Sequence, residues 1–188
     1  FFVATLAEGK ALREYLTPLS RSSEAPRIFV LGGLSYDVTS GTCSSDWLEF
    51  QLIPVLFSKE QVRRWANYCS RQECLMSSAI KVDTGMHRLG IQPEELDQLI
   101  VEMTFSSANP VLLMSHLACA DEPSHPLNQK QIDCFSRCID RVNEVVPEIQ
   151  YSLGNSAGIF LSTDVFFDMV RPGVALYGAN SCLSKELV

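Results

Sequence analysis

The sequence predicts an α/β fold, specifically a TIM-type (β/α)8 barrel lacking its first βα unit. Three observations predict it. Strand-like and helix-like segments alternate along the whole chain. Most strand-like segments are continuous apolar runs, the pattern of a parallel sheet covered by helices. Seven such segments stand at 1–6, 27–31, 52–57, 75–82, 111–114, 149–153 and 168–176, whereas a complete barrel needs eight strands and about 250 residues. The chain has 188 residues and begins inside the apolar run Phe1-Phe2-Val3-Ala4-Thr5-Leu6, so it reads as a fragment of a longer protein. An open doubly wound sheet is the alternative, but no G-x-G-x-x-G turn follows any strand.

The elements follow in order. After the first strand, 8–19 is a predicted helix with Ala11, Leu12, Tyr15 and Leu16 on one face. The polar stretch 20–26 ends in Pro26 and is a loop. The strand at 27–31 is stopped by Gly32-Gly33, a Ser/Thr/Gly-rich loop covers 34–45, and a short helix spans 46–51. Pro54 is awkward inside the third strand because it removes a ladder donor. Ser58 and Gln61 have capping-box spacing at the start of a helix reaching 72, with Val62, Trp65, Ala66 and Cys69 inward. Pro93 marks another helix start, with Leu96, Leu99, Ile100 and Met103 facing one way. A long helix at 128–145 turns Ile132, Phe135, Ile139 and Val142 inward. Gly154 to Gly158 opens a short helix. Domain organisation follows: 1–178 is the barrel and 179–188 a linker.

Composition narrows the function classes. Hydrophobic residues make up 46% and charged residues 20%, ordinary globular proportions. A net charge of -7 disfavours nucleic acid, which selects basic surfaces. No apolar run approaches the roughly 20 residues of a membrane-spanning helix. Seven Cys, with no C-x-x-C pair, read as free thiols suited to a reducing cytoplasm. Cys134 and Cys138 stand four apart on a predicted helix, a possible half-site for a metal, but no His neighbours them; no metal is expected.

The chemistry gathers at strand ends. Lys81, Asp83 and Arg88 follow the fourth strand, in the stretch Lys81-Val82-Asp83-Thr84-Gly85-Met86-His87-Arg88-Leu89-Gly90. His116 follows the fifth, Asn155 and Ser156 the sixth, and Arg171 precedes Pro172-Gly173-Val174 in the last. Each alone has a plain explanation: a turn whose charges pair, a core histidine, a helix cap, a surface charge. Together, at the carboxyl ends of successive strands, they make a site. Ser156 with free N–H groups at a helix start, and Gly173 permitting close approach, suits a phosphate. Arg88 and Arg171 are permanent cations, so a phosphorylated, planar, anionic cofactor fits.

At these residues the chain resembles the alanine racemase family. The stretch from Lys81 to Gly90 resembles a signature of that family's pyridoxal 5'-phosphate-binding barrel. Ser115-His116-Leu117-Ala118-Cys119-Ala120-Asp121-Glu122 is similar to its T-H-F-A-x-A-D-E, Asn155-Ser156-Ala157 to its A-N-S-A, and Val170 to Gly178 to its V-R-x-G-I-x-x-Y-G. The resemblance implies PLP bound by Ser156, Gly173 and Val174 at its phosphate, with Asn155 beside them. It implies Arg171 facing the pyridine nitrogen with His116 supporting it. Arg88 would contact the phenolic oxygen and the substrate carboxylate. Lys81 matches a carbamylated lysine that orients Arg88, and Leu31 a pocket-lining residue.

The implied activity is interconversion of L- and D-alanine by a cytoplasmic homodimer, supplying D-alanine for peptidoglycan. A serine racemase-like enzyme, a decarboxylase or a non-catalytic PLP-binding protein are the alternatives. Two family features have no counterpart here. The Schiff-base Lys belongs to a first-strand stretch that is missing, and the five Lys are Lys10, Lys59, Lys81, Lys130 and Lys185. The second base, a Tyr of a C-terminal domain, is also missing. The expectation is a racemase fragment truncated at both ends and inactive alone.

Overall fold

Among the described residues six short strands, all parallel, lie side by side in chain order: β1 (Phe2–Val3), β2 (Ile28–Val30), β3 (Leu52–Leu56), β4 (Ser78–Lys81), β5 (Pro110–Met114) and β6 (Gln150–Ser152). Between them run α1 (Leu6–Leu16), α2 (Asp46–Glu49), α3 (Lys59–Arg71), α4 (Pro93–Val101), α5 (Thr104–Ser107) and α6 (Pro126–Asn143). This computed structural model describes residues 1–19, 25–34, 43–161 and 163–181. The expected loops at 20–26 and 34–45, and the linker at 179–188, fall largely outside the described residues.

The strand order is that of half a barrel. The apolar runs have two destinations, set by the period-2 alternation of strand side chains. Ile28, Val30, Leu52, Leu56, Ile80 and Leu113 face the helices and share one core with Trp47, Trp65 and Phe135. Phe29, Ile53, Val55, Ala79, Leu112 and Met114 face the other way and form a second, smaller core on the concave face. Continuous apolar strands are therefore required, because both faces are covered. Pro54 is tolerated because β3 begins pairing with β4 only at Val55, one residue beyond it.

The count of seven strands is corrected to six. The segment expected as a strand at 168–176 is not one. It touches the sheet through a single bridge, Asn155 to Arg171, together with the bonds Asp168 N–H to Tyr151 C=O and Arg171 N–H to Gly154 C=O. Pro172 then lacks the N–H a ladder needs, and Val174–Tyr177 coils into a 3-10 turn. The bridge nonetheless delivers Arg171 to the sheet edge.

Helix boundaries hold to within a few residues, while some faces rotate. On α6 the fully buried residues are Asn128, Gln131, Phe135, Cys138 and Val142, while the expected Ile132 and Ile139 are partly buried and pack against the core. On α4 Leu96 and Leu99 are buried, but Met103 ends up exposed with φ 57. Tyr15 of α1 is also exposed. Ser58 caps α3 by accepting from Gln61 N–H at 3.3 Å, but the Gln61 side chain accepts from Phe57 N–H instead of closing the box. The short helix after Gly154 is only the 3-10 turn Gly158–Phe160.

Candidate active site

The loop after β4 is built by Asp83. One carboxylate oxygen accepts from the N–H groups of Gly85, Met86 and His87 at 3.0, 2.9 and 3.1 Å, and the other takes Gln92 Nε2 at 3.4 Å. Burial opposes the charge, but these donors outweigh it and hold the carboxyl below its ordinary value. Two backbone bonds close the loop's base, Asp83 N–H to Ile91 C=O and Ile91 N–H to Lys81 C=O, both 2.9 Å. Gly90 makes the closure possible: its φ is 145° and a Cβ there would lie 2.5 Å from Asp83 N. Asp83 is thus a loop-former, not a partner for Lys81 or Arg88, and the plain reading of a turn with mutually paired charges is set aside.

Arg88 is exposed on this loop and lines a cavity of about 330 Å³ with Phe57, Asp83 and Gln92. Lys81, at the end of β4, is half-buried. Burial, then the Arg88 and Arg171 guanidiniums, push its amine below the usual lysine range, with Asp83 opposing weakly.

Arg171 is anchored from three sides. Its guanidinium donates to Ser152 Oγ, to Ser115 C=O and, at 3.4 Å, to Leu153 C=O. All three partners are neutral. Burial pulls Arg171 down to about 10, which leaves it cationic at neutral pH. Among the described residues no carboxylate pairs with Lys81, Arg88 or Arg171.

His116 does not bond Arg171. Its Nε2 lies 3.2 Å from Asn155 Nδ2, which also donates to Leu117 C=O at 3.1 Å, while Asn155 Oδ1 accepts from Gly158 N–H at 2.9 Å. The amide nitrogen is a donor, so His116 Nε2 must accept and its proton sits on Nδ1. Burial first, then Arg171, Lys81 and Arg88, drive His116 down to about 4, so it is neutral at pH 7.

Ser156 joins the last two segments: its Oγ accepts from Gly173 N–H at 2.8 Å and from Ala175 N–H at 3.4 Å. His116, Asn155, Ser156, Arg171, Gly173 and Val174 line one cavity of about 350 Å³. Leu31 stands just past β2, 40% exposed, and lines neither this cavity nor that of Arg88.

Four residues that sequence reasoning did not single out hold this arrangement. Buried Gln131 on α6 donates to Thr84 Oγ1 at 3.1 Å and to His116 C=O at 2.9 Å, and accepts from Ala118 N–H at 2.8 Å. Thr84 and Ser115 share a hydroxyl bond of 2.8 Å. Ser152 Oγ is held by Met169 C=O at 2.6 Å. The signal for Gln131 was present: it is a polar residue on the face that the helical period buries.

The chain matches the family described as alanine racemase, N-terminal domain, over residues 1–181. The alanine racemase of Rhodospirillum rubrum is 41% identical over 181 residues, covering 96% of this chain and 44% of that protein. A biosynthetic alanine racemase of Agrobacterium fabrum is 43% identical over 183 residues, 96% of this chain and 42% of its own. The chain therefore spans less than half the length of these relatives. Among solved structures, alanine racemase from Bartonella henselae with covalently bound pyridoxal phosphate superposes with a TM-score of 0.83 at 32% identity, over 100% of this chain and 50% of that one. With strand-end chemistry, half-barrel topology and sequence all in agreement, the chain belongs to the alanine racemase N-terminal domain family.

Proposed function

We propose that this chain is the cofactor-binding segment of an alanine racemase that interconverts L- and D-alanine with pyridoxal 5'-phosphate. The observation that carries it is the set of cations, Lys81, Arg88 and Arg171, that no carboxylate neutralises, converging on a neutral His116. Such a cluster favours an anion among it. The donor set fits PLP: a hydroxyl and backbone amides for a phosphate at one end, and guanidiniums along the rest. That end is open: a Cβ at Gly173 would meet only Ser156 Oγ, at 3.9 Å.

When bound, PLP supplies an electron sink for a carbanion at the substrate Cα. The chain's residues do the positioning. Ser156, Gly173 and Val174 hold the phosphate and Asn155 ties Ser156's turn to His116. Arg171, a donor with no acceptor, faces the ring nitrogen and favours its unprotonated form. Neutral His116 adds no further positive charge there. Arg88 would meet the phenolic oxygen and the substrate carboxylate. Lys81, its amine pushed toward the neutral form, takes up carbon dioxide, loses a proton and becomes an anionic carbamate that orients Arg88.

The reading extends to a homodimer supplying D-alanine for peptidoglycan in the cytoplasm. The six free cysteines among the described residues suit a reducing compartment and support the last point. The test is the full-length gene product with PLP: L-alanine should yield D-alanine, and Arg88→Ala should abolish it. Turnover of another amino acid and none of alanine would overturn the substrate assignment.

A further inference from the structure

Past β5 the chain leaves the sheet at Ser115. Three successive carbonyls there, those of Ser115, His116 and Leu117, each accept from a side chain: Arg171, Gln131 and Asn155. Backbone groups outside a ladder must find partners elsewhere, so these three side chains set the path of the segment that carries the His116 ring. Arg171 and Asn155 line the cavity of Ser156 and Gly173 themselves. Gln131 does not line it; it is 0% exposed, on the buried face of α6.

The Gln131 amide has one orientation open to it. Its Oε1 accepts from Ala118 N–H at 2.8 Å, a group that only donates, and its Nε2 donates to His116 C=O at 2.9 Å, a group that only accepts. The second Nε2 proton goes to Thr84 Oγ1 at 3.1 Å. Proton counting directs the rest. Ser115 has one hydroxyl proton and donates it to Val82 C=O at 2.9 Å, so Thr84 is the donor in the 2.8 Å bond between the two hydroxyls. One amide therefore grips His116 and Ala118 and starts a run of hydroxyls that ends at Val82, below the loop bearing Arg88. On the same segment Asn155 Nδ2 donates to Leu117 C=O and to His116 Nε2, at 3.1 and 3.2 Å. The ring proton on Nδ1 gives the tautomer that a free imidazole disfavours in water.

We propose that Gln131 is a positioning residue for the reaction: it holds the backbone of His116 and Ala118 so that the His116 ring meets Asn155 and stands in the cofactor cavity as its Nδ1–H tautomer. The role rests on the reading of that cavity as the racemase's cofactor site. An apolar side chain of the same length fills the space but leaves His116 C=O and Ala118 N–H without partners. The segment then shifts to find others, and the ring loses Asn155.

The test is nitrogen-15 NMR of the full-length protein with labelled histidine, without PLP or substrate, so it reports on Gln131 whether or not the protein turns over alanine. The His116 signals are those missing in His116→Asn, and the ring is neutral at pH 7. The expected spectrum has a protonated Nδ1 and a bare Nε2. In Gln131→Met, with an unchanged circular dichroism spectrum, it should move to the Nε2–H form of a free imidazole. Gln131→Glu at pH 8, equal in size, sets an oxygen against His116 C=O and replaces the Met variant where that fails to fold. Thr84→Val cuts only the branch to Ser115 and should keep the Nδ1–H form. With PLP, kcat for alanine should fall about tenfold or more in the Gln131 variant while PLP affinity, set by Ser156 and Gly173, changes little. An unchanged His116 spectrum in the Gln131 variants overturns the proposal, as does the same shift in Thr84→Val. A fall in kcat that only tracks lost PLP or lost folded protein would make Gln131 a structural residue and overturn it too.

Discussion

At the scale of single residues, the site is a problem in placing positive charge. His116 is the clearest readout. Its folded value near 4 lies below the ordinary 6.5 because burial and three cations oppose its protonation. The unfolded chain therefore binds more protons between those values. Stability from this residue is complete above about pH 6.5 and is lost as the pH falls towards 4, by at most about 3 kcal/mol. Denaturant unfolding of the PLP-free protein at pH 7 and pH 5 should show the loss, and His116→Leu should flatten it. An equal slope in the variant would show that His116 is not the group responsible. Lys81 gives a second prediction. Crystals of the intact enzyme grown with bicarbonate should show carbamate density on Nζ beside Arg88; a bare amine at high resolution would refute that role.

At the scale of elements, the loop that carries Arg88 and the helix that carries Gln131 are held by polar groups buried in unusual places. The loop is wound around the Asp83 carboxylate and locked by Gly90. Gly90→Ala puts a methyl against backbone atoms of Val82 and Asp83 at positive φ, where neither side can yield. We expect a loss of about 2 kcal/mol or more, read by denaturant midpoint. Alanine racemisation should fall further than stability does, because Arg88 loses its position. A stable variant with normal activity would show that the loop closure is dispensable. Gln131 ties α6 to the ends of β4 and β5.

At the scale of the whole molecule, the chain is half a barrel whose candidate site is assembled from the ends of β4, β5 and β6 and from the bridged segment that carries Arg171. Distances in sequence of up to 90 residues, from Lys81 to Arg171, close to electrostatic contact because parallel strands all present their carboxyl ends on one side. The described lysines offer Lys81 alone at that edge, and it is flanked by two guanidiniums. We therefore expect the 188-residue chain alone to give no measurable conversion of L-alanine to D-alanine with added PLP, in an assay where the full-length product is active. Turnover by the chain alone, or a borohydride-stable adduct on Lys81, would show that Lys81 holds the cofactor itself.

The fold class and most of the site were legible in the sequence. Apolar strands buried on both faces leave continuous runs, and runs alternating with amphipathic helices specify parallel pairing, so the sheet could be read without coordinates. Of the residues picked out at strand ends, His116, Asn155, Ser156, Arg171, Gly173 and Val174 line one cavity, while Arg88 lines another. The tertiary structure alone decided three things. It ended the sheet at six strands, because a missing N–H at Pro172 cannot be weighed until its neighbour is known. It rotated α6 so that Gln131 and Cys138 are buried deeper than Ile132 and Ile139, which pack on the core but stay partly buried, because a wide apolar stripe leaves the helix's rotation to its packing partners. It also assigned the hydrogen bonds: Asp83 to its own backbone, His116 to Asn155, Arg171 to Ser115 and Ser152. Sequence names the donors and acceptors, but a bond of about 3 Å depends on where the backbone sets each atom, and that is a property of the folded chain.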